Sequence, residues 1–321
     1  MKLVRQITVI IVVALSFILF DMGVYNVITK RCINNTSKEM QAKSIELDKY
    51  LPFDEDSLIA ALDGEASLKL TENLPVVDGA AAIYPVYSAF VNAVYPKESV
   101  SFDGTNFTEN SAMQYTNTRG AYKGIVDGDV DVIFCVKPSD EQLKYAEENG
   151  VELEFVPIGR EAFVFIVNKD NPVDNLSIEQ LKGVYSGKYT NWSQVGGDDY
   201  IIDALQRNKG SGSQSALESF MGEEEIKKNP LGFMGRAIGF SFRYYVSGIV
   251  ENGGVKMLSL DGVYPSKENI SNGSYPIISD IYAVYRKDDD NQNIPILIDW
   301  ILSEEGQKLV EDSGYVPAIV G

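Results

Sequence analysis

The run Arg207-Asn208-Lys209-Gly210-Ser211-Gly212-Ser213 holds the residue types needed to grip an oxyanion. A helix starting at its far end leaves about four backbone N–H groups without partners and carries a partial positive charge, so an anion can take those donors. Gly210 and Gly212 let the backbone come close, Ser211 and Ser213 add neutral hydroxyl donors, and Arg207 offers a bidentate, charge-assisted fork. Taken in isolation, Gly-Ser-Gly-Ser also reads as a flexible loop or a plain helix cap. The flanks narrow that choice: residues 201–206 have strand character, and Ala216, Leu217, Phe220 and Met221 share one face of a helix. Strand, loop and helix in that order make an anion cradle.

Composition removes most competing chemistry. Acidic residues number 46 against 28 basic ones, a net charge of -18, which argues against a nucleic-acid partner held through its phosphates. The sequence has no histidine, so Ser-His-Asp and Cys-His arrangements and the usual zinc sets are excluded. Cys32 and Cys135 lie too far apart in unlike surroundings to read as a disulfide framework or a CxxC site, and Cys135 reads as a small core residue. The acidic runs at 223–225 and 288–290 lack the spacing of a calcium loop and read as solvated charge. Neither paired carboxylates nor a nucleophile with a base can be picked out. The expectation is a binding protein without catalysis, metal or cofactor.

The elements that must position the cradle emerge from periodicity. From Leu74 onward, short β-type runs alternate with amphipathic helices, the pattern of an α/β domain with a largely parallel sheet, and 45% apolar residues over 321 suffice for its core. Strands are expected at 75–77, near 113–115, at 130–136, 151–157 and 162–167, and helices at 86–94, from 121, at 140–149 and at 177–184, the last capped by Ser177 with Gln180 three residues on. Tyr244, Tyr245, Trp192 and Trp300 read as core aromatics.

The N-terminus sets the compartment. Lys2 and Arg5 precede an apolar run from Ile7 to Phe20 that continues loosely to Ile28, and a helix over 7–28 would extend roughly 33 Å, about a bilayer core. The sequence after the run holds no convincing A-x-A-like site, so residues 1–30 read as an uncleaved anchor in preference to a cleaved signal, with the rest on the extracytoplasmic side. Residues 31–73 are polar with scattered leucines and read as a tether that partly packs on the α/β domain beginning at Leu74.

Three stretches together carry a resemblance: Pro157-Ile158-Gly159-Arg160-Glu161-Ala162-Phe163-Val164-Phe165, the segment 184–197 around Tyr189-Thr190-Asn191-Trp192, and the Arg207 to Ser213 run. They resemble the phosphate-binding solute receptors of phosphate ABC transporters, and the ending with Gly314-Tyr315-Val316-Pro317 is similar to the close of those chains. The resemblance covers about 74–321. It implies a two-lobed periplasmic-binding-protein-like fold of type II behind an N-terminal transmembrane or signal helix. Lobe one would be 74–160 with 276–321, lobe two 161–275, with a hinge at the crossing strands 163–167 and 281–285. It also implies a bound phosphate or related oxyanion and delivery to ABC permease subunits. A sensory or partner-binding relative that has lost tight phosphate binding is the alternative.

Carried over by position, Arg207, Ser211, Gly212 and Ser213 match the family's anion-binding motif. In the first loop, Asp78-Gly79-Ala80-Ala81-Ala82-Ile83 lacks the hydroxyls common there, leaving the backbone N–H groups of Ala81, Ala82 and Ile83 as donors. Thr118 and Arg119 are expected from the second turn. Lys137 stands near the place where relatives keep an aspartate that accepts the proton of hydrogen phosphate.

Overall fold

The computed structural model describes residues 45–249 and 253–318, together with Ser16, Leu19, Phe20 and Met22. Apart from those four residues, which are helical, the expected signal or anchor helix at 1–30 and the first part of the tether lie outside the described residues. No helix among the described residues is long and apolar enough to cross a membrane.

Two sheets share one long strand. Against the expectation of a largely parallel sheet, most of their pairings are antiparallel, because the strands Leu153–Asn168 and Ile278–Arg286 cross between the two halves. In the first, β1 (Val77–Gly79) runs parallel to β2 (Val132–Cys135), β2 runs antiparallel to β9 (Ile278–Arg286), and β9 antiparallel to the first part of β3 (Leu153–Asn168). At Phe163 the strand changes company. From there β3 pairs with β6 (Arg236–Phe242) and β7 (Val255–Met257), and β5 (Ile202–Ala204) lies parallel to β6. A small parallel pair, β4 (Asn175–Leu176) with β8 (Ser259–Leu260), lies apart, and β10 (Val316–Pro317) closes on β3 near Gly159.

The sequence suggested two strands at 151–157 and 162–167; the chain makes one. A register shift between Pro157 and Gly159 accommodates the turn residues without breaking the ladder. Gly159 is needed there because a side chain would crowd Val310 at 3.0 Å and the Val316 carbonyl at 3.2 Å. The strand expected near 113–115 shrinks to a single bridge between Met113 and Val77.

Helices cover both sheets for the reasons their patterns give. On the first sheet α1 (Tyr84–Val94) places Tyr87 and Phe90 against Phe134, and Phe90 meets Trp300 of α6 (Asn293–Ile301) edge to face. On the second, Phe163, Phe165 and Phe240 pack with Tyr185, the last residue of α4 (Ile178–Tyr185). The capping boxes of Ser177 with Gln180 and of Ser139 with Gln142 start α4 and α3 (Asp140–Glu148). Trp192 is buried and donates to the Arg236 carbonyl at 3.0 Å; Cys135 is a buried thiol whose pKa burial pushes well up.

Residues 45–73 dock along α1. The Leu70 amide donates to the Val94 carbonyl at 3.0 Å, the Phe53 amide to Asn92 at 2.8 Å, and Ile45, Tyr50 and Leu70 are buried.

Candidate functional site

Three helices begin at one cavity. They are α1, α2 (Asn117–Asp127) and α5 (Gly212–Met221), and the cavity they open on has a volume of about 490 Å³. All nine residues selected from the sequence line it: Ala81, Ala82, Ile83, Thr118, Arg119, Arg207, Ser211, Gly212 and Ser213.

The local chain explains the donors. Ser211 caps α5 by accepting from the Gln214 amide at 3.3 Å, and the Gln214 side chain accepts from the Arg207 amide at 2.9 Å, which holds the loop in shape. The amides of Gly212 and Ser213, the first two of that helix, have no acceptor among the described residues. The same is true of Thr118 and Arg119 at the start of α2, and of Ala81 and Ala82 before α1. Ile83 differs from expectation: its N–H closes a turn onto the Ala80 carbonyl at 2.9 Å, so it forms wall and not donor. The hydroxyls of Thr118, Ser213 and Ser241 also face the cavity without a hydrogen-bond partner among the described residues.

Arg207 is half-buried, and no carboxylate pairs with it among the described residues. Burial pulls its pKa below the ordinary value, an effect opposed by Tyr245 nearby. A guanidinium starts so high that it stays charged.

The two sides of the cavity already touch. Lys209 pairs with Glu141 at 2.9 Å, and Gln142 reaches the Gly210 carbonyl at 3.4 Å. A side chain at Gly212 would stand 3.1 Å from Val136 and 3.2 Å from the Thr118 hydroxyl, so glycine lets the starts of α2 and α5 approach without displacing either neighbour.

Carboxylates near the cavity are already engaged. Asp78 accepts from the Gly79 amide at 2.6 Å, the Thr116 amide at 2.9 Å and the Thr116 hydroxyl. Glu161 lines the cavity, but it accepts from the amides of Ala162 at 2.8 Å and Tyr244 at 3.0 Å and pairs with Arg243 at 3.3 Å. Lys137 lies in a separate groove with Lys182 and Ser219, on the far side of Val136.

Sequence reasoning missed Asn117, Asn208, Tyr115, Ser241 and Tyr245 as lining residues. Tyr245 is buried in the core as expected, but it comes after the end of β6 at Phe242 and not within a strand, and it also lines the cavity. Asn117 and Asn208 flank motifs that were recognised, so adjacency was an available signal; Ser241 and Tyr245 had none.

Asp78 gives a pH prediction. Its pKa is raised from 3.8 to about 6 by burial, which outweighs the three donors. Between those values the unfolded chain has released the proton and the folded chain keeps it. Stability is therefore expected to fall as pH rises through that window and to level off above it. A shift of two units corresponds to about 3 kcal/mol. Asp78→Asn keeps the shape and is expected to remove this slope in urea melts between pH 4 and 7.5; a variant curve parallel to the wild type would refute the assignment.

Known proteins resemble this chain over most of its length. A model of the PBP superfamily domain matches residues 75–305. The phosphate-binding protein PstS of Borreliella burgdorferi is 27% identical over 230 residues, spanning 66% of this chain and 82% of the relative. That of Staphylococcus epidermidis strain RP62A is 28% identical over 226 residues, 62% and 67% of the two chains. Among solved structures, a candidate phosphate ABC transporter substrate-binding protein from Clostridium perfringens with bound phosphate superposes with a TM-score of 0.58 at 24% identity, over 78% of this chain and all of that one. An ABC-type phosphate transport receptor from Vibrio cholerae gives 0.54 at 20% identity, over 77% and 99%. At these identities the structural likeness shows the fold.

Proposed function

Since the chain belongs to the PBP superfamily of periplasmic-binding-protein-like domains, a family of substrate-binding receptors and not of enzymes, we propose that it is a solute receptor for phosphate or a related oxyanion, delivering it to an ABC transporter. The observation that carries this reading is the convergence of three helix starts and the unpaired Arg207 on one cavity. The proposed ligand contacts are the amides of Ala81, Ala82, Thr118, Arg119, Gly212 and Ser213, the hydroxyls of Ser211, Ser213 and Thr118, and the Arg207 fork. Calorimetry of the full-length chain with inorganic phosphate, sulfate and phosphate monoesters at pH 7.5 tests it: binding at one site per chain is expected, and binding of none of these oxyanions at millimolar concentration would overturn it.

The proposed lobes are 74–160 with 276–321, and 161–275. What supports the division is the change of partner along β3, which pairs with β9 up to Ala162 and with β6 from Phe163. The crossing strands are then the natural hinge.

Residues 1–30 are proposed as an uncleaved membrane anchor, and 31–73 as its link to the receptor on the extracytoplasmic face, where ABC permease subunits would be met. The support is the basic start and the apolar run from Ile7 to Phe20. The mature protein is expected to keep its first residues and to stay with membranes through a high-salt wash. N-terminal sequencing that starts beyond residue 20 would contradict this.

A further inference from the structure

Resting on the oxyanion reading, we propose that the preferred ligand is a phosphoryl or phosphonyl group bearing an organic substituent, such as a phosphate monoester, in preference to free phosphate. Its three terminal oxygens would sit among the helix starts and its substituent in the apolar remainder of the cavity.

The first reason is the balance of donors and acceptors. The amides and hydroxyls gathered by α2 and α5, with Arg207, are donors or adaptable hydroxyls. Free phosphate near neutral pH still carries a proton on one oxygen and is best matched by a carboxylate acceptor. Among the described lining residues Glu161 holds the one carboxylate, and two amides and Arg243 already engage it. A dianionic monoester or phosphonate has no such proton: its fourth vertex is a carbon-bearing oxygen in the one and a carbon in the other, which asks for apolar room.

The second reason is that such room is present. Around the donors lie the methyl groups of Ala81 and Ala82, with Ile281, Phe242 and the rings of Tyr115 and Tyr315. A tetrahedral anion has five heavy atoms and fills roughly 100 Å³, judged against about 30 Å³ for each liquid water. The cavity, which opens to solvent on one side, holds about 490 Å³, and Lys209 with Glu141 and Gln142 with Gly210 link its two sides. That volume falls within the range of sites for organic ligands, about 300–1,000 Å³.

The test is competition calorimetry of the full-length chain at pH 7.5 with four probes: inorganic phosphate, sulfate, methyl phosphate and phenyl phosphate. The expected result is that the better of the two esters binds at least tenfold tighter than inorganic phosphate. A smaller preference, or tighter binding of inorganic phosphate or sulfate, overturns this inference and leaves the oxyanion reading standing. Binding by none of the four overturns both. In a second arm, Ala82→Ser narrows the apolar wall and adds a hydroxyl, so the ester preference is expected to drop at least threefold; an unchanged ratio counts against the substituent lying there.

Discussion

Arg207→Ala is expected to cost about 2–4 kcal/mol of oxyanion affinity, roughly 30- to 1,000-fold, with no comparable loss of stability. The size reflects what the residue faces. Its guanidinium is half-buried with no carboxylate partner among the described residues, so the bound anion would supply its compensating charge. Removing an unpaired, partly desolvated cation relieves a cost in the free protein, which is why the fold should tolerate the change. Arg207→Lys keeps the charge but not the planar fork and is expected to recover only part of the affinity. Calorimetry with inorganic phosphate, paired with a urea melt of each variant, separates the two effects. Unchanged affinity in the alanine variant would place the ligand elsewhere.

Arg243→Ala acts on stability instead. Arg243 and Glu161 form a buried pair at 3.3 Å, with side chains 11% and 3% exposed, and Arg243 also donates to the Gly314 carbonyl. It thus ties the end of β6 to the chain just before β10. Burial raises the pKa of Glu161, and Arg243 is the largest influence opposing that rise. Without the arginine a carboxylate is left buried and uncompensated, a loss of about 3–5 kcal/mol. The pH dependence has a fixed sign: removing Arg243 pushes the Glu161 pKa further up, and a protonated Glu161 tolerates burial. The deficit against wild type should therefore be smaller at pH 5 than at pH 8. A deficit below about 1 kcal/mol, or one larger at pH 5, would show that the pair does not behave as described.

The cradle could be read in the sequence because its parts are contiguous: strand, Arg207, glycines, Ser211 as cap, and the helix of Leu217 all fall within about twenty residues. Capping residues were legible for the same reason, as at Ser177 and Gln180. What was hidden depends on distant pairings. Asp78 is held by Thr116, 38 residues on, and the Glu161 carboxylate at the cavity wall is engaged by Arg243 and Tyr244, more than 80 residues on. The single strand β3 was read as two because Pro157 and Gly159 look like a break, whereas the pairing with β9 continues through a register shift. Tyr245 obeyed the alternation of a core strand until the strand ended three residues before it.

The central claim is that an oxyanion sits where the starts of α1, α2 and α5 meet Arg207. Anomalous scattering at the arsenic edge, from crystals of the chain grown with millimolar arsenate at pH 7.5, tests this most directly. The account predicts a single strong peak placed so that the arsenate oxygens around it lie within hydrogen-bonding distance of the Gly212 and Ser213 amides and the Arg207 guanidinium. A cavity without arsenic at saturating arsenate, or a principal peak in the groove beside Lys137 and Lys182, would contradict it.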